Sequence, residues 1–199
     1  MTENTDMKPY WKAFTVVDSD RPDLGGNCRH GDTKSITPKF WNYLVDRFAP
    51  RSMLDVGCGE GHALSFFQRQ GVIAHGIDGL RQHDRIVHHP FAVHDLTRSG
   101  YVYPCDLVLC VEVVEHIEEV YLDNLLSTLT NAPIIVMTHA VPGQQGHHHV
   151  NLQPRQYWID AFAERGYFLD PDTEWMKKMA ADEIPGSYFG ETGLVFIRP

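Results

Sequence analysis

The sequence predicts a doubly wound α/β domain built on a mostly parallel sheet. Three observations carry this expectation. Short apolar runs alternate with segments of helical periodicity along most of the chain. Two of those runs, DLVLCV (106–111) and PIIVMTH (133–139), are apolar almost throughout, as strands buried on both faces are. A glycine-rich turn follows one run and opens a helix, the setting a nucleotide-binding turn requires. At 199 residues, with 43% hydrophobic and 22% charged, the chain can close one full-sized core and does not read as disordered.

Residues 1–35 are polar and rich in turn formers (RPDLGGN), with Tyr10, Trp11 and Phe14 as anchoring aromatics. They are expected to form an arm that closes over the site as a lid, ahead of a single domain spanning 36–199. Thr37-Pro38 reads as a helix start, a capping hydroxyl followed by proline in the first turn. Phe40, Trp41, Leu44, Val45 and Phe48 then recur at helical spacing, and the helix should stop before Pro50. MLDV (53–56) is a strand, His62 to Gln70 a helix ended by Gly71, VIAHGI (72–77) a strand and RIVHH (85–89) a short further strand. After the strand at 106–111 come a helix from Ile117 to Leu129 and the strand at 133–139. A helix from Pro154 to Arg165 follows, then closing strands at Tyr167–Leu169 and Gly193–Ile197.

Charge narrows the function. Lys plus Arg is 17 and Asp plus Glu is 26, a net charge of −9, which suits poorly the neutralisation of phosphates on which nucleic-acid binding rests. The polar start has no apolar signal core, and no run approaches a membrane span. The four cysteines show neither a CxxC pair nor zinc spacing. A soluble cytoplasmic protein with reduced thiols is expected.

The chemistry-bearing signal is Leu54-Asp55-Val56-Gly57-Cys58-Gly59-Glu60-Gly61-His62. A dinucleotide fingerprint would place glycine where His62 stands, and Asp55 would repel a pyrophosphate. Its carboxylate suits a ligand bearing an amino group, such as adenosylmethionine. Asp78 ends the next strand at a distance that fits a carboxylate accepting ribose hydroxyls. A nicotinamide dehydrogenase is disfavoured on the same two residues.

LDVGCGEGHAL, GIDG (76–79), HDL (94–96) and DLVLCVEVVEHI (106–117) stand in the order and spacing of class I S-adenosylmethionine-dependent methyltransferases. Over roughly residues 50–170 the chain resembles the broad group that includes the ubiquinone-pathway O-methyltransferases. The resemblance implies a Rossmann-like seven-stranded sheet with S-adenosylmethionine as cofactor. It places Gly57, Cys58, Gly59 and Gly61 along the methionine part, Asp78 and Gly79 at the ribose, and Asp95 with Leu96 at the adenine. One departure is that GIDGLRQHD carries no long helix after Asp78.

Glu112, Glu115 and His116 form E-x-x-E-H past a buried strand; a helix beginning near Glu112 would set them on one face. His139 and the loop VPGQQGHHHVN (141–151) add imidazoles from the next strand end. Three readings stand side by side. In the first, the acids simply suit a helix N-terminus. In the second, a histidine acts as general base on an acceptor hydroxyl. In the third, Glu112, Glu115, His116 and a loop histidine hold a divalent metal. The metal pattern is similar to that of the metal-dependent small-RNA 2′-O-methyltransferases. His148, His149, His116 and Glu112 are the candidate catalytic residues, with His148 and His149 preferred in the loop. The acceptor is expected to be a small polar metabolite, sugar-like or a nucleotide-sugar derivative. Metal-assisted RNA 2′-O-methylation and a catalytically silent cofactor-binding subunit are the alternatives.

Overall fold

A computed structural model describes residues 15–17, 21, 23–28, 31–80 and 90–199. Tyr10, Trp11, Phe14 and the strand expected at 85–89 lie outside the described residues. Within the expected arm, β1 (Thr15–Val17) and β2 (Gly25–Cys28) pair antiparallel as a two-stranded hairpin.

The domain proper alternates strand and helix. In order it comprises α1 (Pro38–Phe48), β3 (Ser52–Val56), α2 (His62–Arg69), β4 (Ile73–Asp78), β5 (Phe91–Val93) and β6 (Leu107–Cys110). It continues with α3 (Leu122–Leu129), β7 (Ile134–Met137), α4 (Arg155–Ala163), β8 (Phe168–Leu169), α5 (Thr173–Glu183), α6 (Tyr188–Thr192) and β9 (Leu194–Ile197). The seven-stranded sheet has the order β5-β4-β3-β6-β7-β9-β8. Pairs from β5 through β7 are parallel, and β9 runs antiparallel to both β7 and β8. The order reverses at β3, so the crevice between the carboxyl ends of β3 and β6 is where a doubly wound sheet binds its ligand.

Alternation along the central strands explains why they read as continuous apolar runs. Leu54, Val56, Val108 and Cys110 face a core closed by Leu125, Leu126 and Leu129 of α3 and by Trp158 and Phe162 of α4. Met53, Leu107 and Leu109 face the opposite core, closed by Phe40, Trp41 and Leu44 of α1, Phe67 of α2, Met176 of α5 and Phe189 of α6.

Three expectations are corrected. Thr37 stands at the α1 N-terminus but its hydroxyl does not cap. The backbone amides of Lys39 and Phe40 instead donate to the Glu183 carboxylate at the end of α5. The helix expected from Ile117 begins only at Leu122; before it come 3₁₀ turns at Val114–His116 and Glu119–Tyr121, with Ile117 extended between them. The physical reason lies at Glu115, whose carbonyl accepts the amides of Val150 (2.9 Å) and Asn151 (3.1 Å) instead of a helical partner. Finally, α5 and α6 were not anticipated. The buried set Thr173, Met176, Ala180 at helical spacing is the signal for α5.

Candidate functional site

A cavity of about 340 Å³ opens at the carboxyl edge of the sheet and joins both motif groups. At one end lie Gly57, Cys58 and Gly59 with Asp55, Asp78, Gly79, Asp95 and Leu96; at the other lie Glu112, His116, His147 and His149. Register explains the juxtaposition: Val56 pairs with both Ile77 and Cys110, so the residues following β3, β4 and β6 emerge side by side.

The turn after β3 is shaped by backbone. Gly57 has φ +72°, and a Cβ there would fall 2.3 Å from Cγ2 of Val113. The glycine therefore does two things: it adopts a left-handed conformation and lets the E-x-x-E-H segment approach. The Gly57 and Cys58 amides both donate to the Ile77 carbonyl, which ties the turn to β4. Gly61, also left-handed, precedes α2 as its N-cap and does not line the cavity. The Asp78 carboxylate accepts the Gly59 amide (2.8 Å) through one oxygen and the Leu80 amide (2.8 Å) through the other. Gly79 lets the Leu24 side chain approach closely: a Cβ there would meet Leu24 Cδ2 at 2.8 Å.

Asp95 accepts the Thr97 amide and hydroxyl at 3.0 and 2.7 Å, and Arg21 Nη1 at 2.7 Å. Burial alone would raise its pKa, but the hydrogen bonds from Thr97 and Arg21 hold it below the ordinary carboxylate value. Asp55 is buried at the foot of the turn and lines the cavity.

The acid–histidine cluster is built differently. Glu112 is not helical; its φ is +55°, an uncommon state for a non-glycine residue and one that concentrates at functional sites. Thr138 fixes it twice: its hydroxyl oxygen accepts the Glu112 amide (2.8 Å), and its hydroxyl donates to Glu112 Oε1 (2.8 Å). Glu115 is wholly buried; its polar neighbours are its own backbone amide and the Glu112 carboxyl, and neither carboxyl oxygen makes a well-formed hydrogen bond among the described residues. Burial, and then the neighbouring charge of Glu112, pushes the Glu115 pKa well above the ordinary value. Glu112 is pushed up to about 7, again chiefly by burial. His116 has a buried Nδ1 without a partner, and burial followed by the adjacent His149 and His147 lowers it to about 4. Ligand atoms of Glu115, His116 and His149 all lie within 4.8 Å of one another. Two carboxyls and two imidazoles are thus held toward their neutral forms in a packed cluster, and a divalent cation suits such a donor set.

The loop sorts its three histidines. His149 joins His116, ring centroids 5.1 Å apart, and keeps Nδ1 3.4 Å from the Gln144 carbonyl. His148, at φ +45°, does not line the cavity and stands 3.7 Å from Glu118. His147, not singled out in the sequence, does line it. His139 is buried against Trp158 and lies outside the cavity. Sequence reasoning also missed Asp32, whose Oδ2 accepts the Tyr188 hydroxyl at 2.7 Å; both line the cavity from segments that carry no motif.

Residues 30–174 match the family model described as a methyltransferase domain. No curated protein sequence matches the chain. Among solved structures, the chain is similar to magnesium protoporphyrin IX methyltransferase from Synechocystis PCC 6803 with bound SAM (16% identity, TM-score 0.56, 80% of this chain and 75% of that one). It is also similar to the plantazolicin methyltransferase BpumL in complex with a desmethyl analogue and SAH (15%, 0.56, 81% and 83%). The methyltransferase domain of a bacterial Hen1 protein is a third (19%, 0.53, 81% and 97%). At these identities the likeness is one of fold.

Proposed function

Because the chain belongs to the methyltransferase-domain family, we propose that it moves the methyl group of S-adenosylmethionine onto a hydroxyl of a small, uncharged, sugar-like acceptor, and that Glu112, Glu115, His116 and His149 hold a divalent cation beside it. The donor is supported by the D-x-G-x-G-x-G turn, by Asp78 at the end of β4 and by the crevice at the reversal of strand order. In the transfer the acceptor oxygen forms a bond to the methyl carbon as the carbon–sulfur bond breaks. The sulfonium becomes a thioether and the hydroxyl proton is released. The protein's part is to align oxygen, carbon and sulfur and to exclude water.

The cation reading rests on one observation: Glu115 is wholly buried without a well-formed hydrogen bond to either oxygen, and its ligand atom clusters within 4.8 Å of those of His116 and His149. A cation there would polarise an acceptor hydroxyl. The general-base reading is the weaker one, since an imidazole lowered to about 4, as His116 is, holds a proton poorly at neutral pH. The cavity lining, among the described residues, contains seven acids, two of which (Asp23 and Asp95) pair with Arg21, and no Lys or Arg of its own. This favours a neutral sugar-like acceptor over a nucleotide sugar or RNA, whose phosphates would be repelled. The continuous cavity between turn and cluster favours an enzyme over a silent binder.

The test is transfer from isotopically labelled S-adenosylmethionine to fractionated hydroxylated metabolites, before and after EDTA treatment, with calorimetry of Mn²⁺ or Co²⁺ on the stripped protein. Transfer abolished by EDTA and restored by the ion is expected. Full transfer after EDTA treatment overturns the cation reading and returns the base reading.

A further inference from the structure

The segment ahead of the domain contributes a wall to the adenosine end of the cavity. Arg21 Nη1 donates to Asp95 Oδ2 at 2.7 Å, while its Nε donates to Asp23 Oδ1 at 2.9 Å and Oδ2 at 3.2 Å. Arg21 thus joins two carboxylates 72 residues apart in sequence (95 − 23) through one planar guanidinium, whose fork suits such recognition. The Leu24 amide donates to the Arg21 carbonyl (2.9 Å). The Leu24 side chain lies on Gly79, where a Cβ would stand only 2.8 Å from Leu24 Cδ2. Asp23 and Leu24 line the cavity with Gly79 and Asp95. Leu24 therefore walls the cavity beside Gly79, next to the carboxyl end of β4.

We propose that Arg21 is a positioning residue for the cofactor: it acts through Asp95, fixing that carboxylate toward the adenine and seating Leu24 over the ribose end. The proposal rests on the adenosylmethionine reading above. It does not depend on the cation cluster at the other end of the cavity.

The test is calorimetry and stopped-flow binding of S-adenosylhomocysteine and 5′-methylthioadenosine to wild type, Arg21→Gln, Arg21→Lys, Asp95→Asn and the Arg21→Gln/Asp95→Asn double variant. Arg21→Gln is expected to weaken both ligands by the same factor of about 10, mostly through faster dissociation. Arg21→Lys should recover part of that. In the double variant the loss should be no larger than in Asp95→Asn alone, because one residue acts through the other. Unliganded thermal stability should change little, since ion pairs that keep contact with solvent contribute weakly to folding and this one is only half-buried. Unchanged affinity in Arg21→Gln, or losses that add fully in the double variant, overturns the inference while leaving the cofactor reading intact. A wild type that binds neither ligand removes both.

Discussion

The two ends of the cavity are built on opposite principles. At the glycine-turn end, polar groups are already matched: both Asp78 oxygens accept backbone amides, and Asp95 accepts from Thr97 and Arg21. At the acid–histidine end, Glu115 has both oxygens buried without a well-formed hydrogen bond, and His116 has a buried Nδ1 without a partner. A buried polar atom left unmatched costs about 1–3 kcal/mol, so the second end is held together by packing against its own electrostatics. The lesson is that the glycine-turn end has its polar groups matched by the fold itself, whereas the acid–histidine end leaves buried polar atoms unmatched among the described residues.

The comparison can be broken hardest at Gly57, where the two ends touch. Gly57→Val places a branched side chain at φ +72° and against Val113 Cγ2. Left-handed strain and overpacking together should cost roughly 2–4 kcal/mol of stability. Cofactor binding should be lost altogether. A folded Gly57→Val protein with normal affinity for S-adenosylhomocysteine would mean that this turn is not the cofactor site.

The acid–histidine end should fail in turnover and spare the cofactor. His116→Ala and His149→Ala each remove a ligand atom of the packed cluster. Each should lower methyl transfer by about 10²–10⁴-fold while S-adenosylhomocysteine affinity stays within about twofold. His148→Ala, outside the cavity, should turn over like wild type. If His148→Ala is the inactive variant of the three, the assignment within the loop is wrong. Asp78→Ala shows the converse pattern. Losing a charged acceptor should weaken cofactor binding by roughly 1.5–3 kcal/mol, about 10- to 150-fold. Unchanged affinity would remove Asp78 from the ribose assignment.

The same contrast governs how much of the molecule the sequence discloses. The turn at 57–61 and Asp78 are local features: glycine spacing and a strand end specify them, and their geometry is set by nearby backbone. Strands such as Leu107–Cys110 declare themselves by being apolar on both faces. The E-x-x-E-H motif is visible too, but its geometry is not. Helical spacing suggested one face, whereas Glu112 sits at φ +55° and is fixed by Thr138, 26 residues away. No local pattern encodes that bond. Nor does the triple histidine reveal which imidazole faces in, because a single left-handed residue, His148, decides it. Asp32 with Tyr188 and Arg21 with Asp95 are pairings across 156 and 74 residues. Only the folded chain makes them.

The smallest effect sharpens the comparison most, because its sign is opposite to that of a typical core substitution. Glu115→Gln keeps the shape of a wholly buried side chain and removes its ionisable group. In wild type, burial holds the Glu115 pKa well above its ordinary value of 4.5, so the fold keeps this carboxyl protonated where the unfolded chain releases the proton. Between the two pKa values the folded state binds more protons than the unfolded, and stability falls as pH rises, by at most about 1.4 kcal/mol per pH unit for one proton. The glutamine amide carries no such cost, and its N–H can donate to the facing Glu112 carboxyl. In EDTA-stripped protein, Glu115→Gln should therefore match wild type in melting temperature near pH 4.5 and exceed it increasingly toward pH 8. Adding Mn²⁺ or Co²⁺ should reverse the order, because a cation stabilises only the chain that can bind it. Equal melting curves at every pH, with and without the ion, would mean that Glu115 is an ordinary buried residue and that both ends of the cavity are built alike.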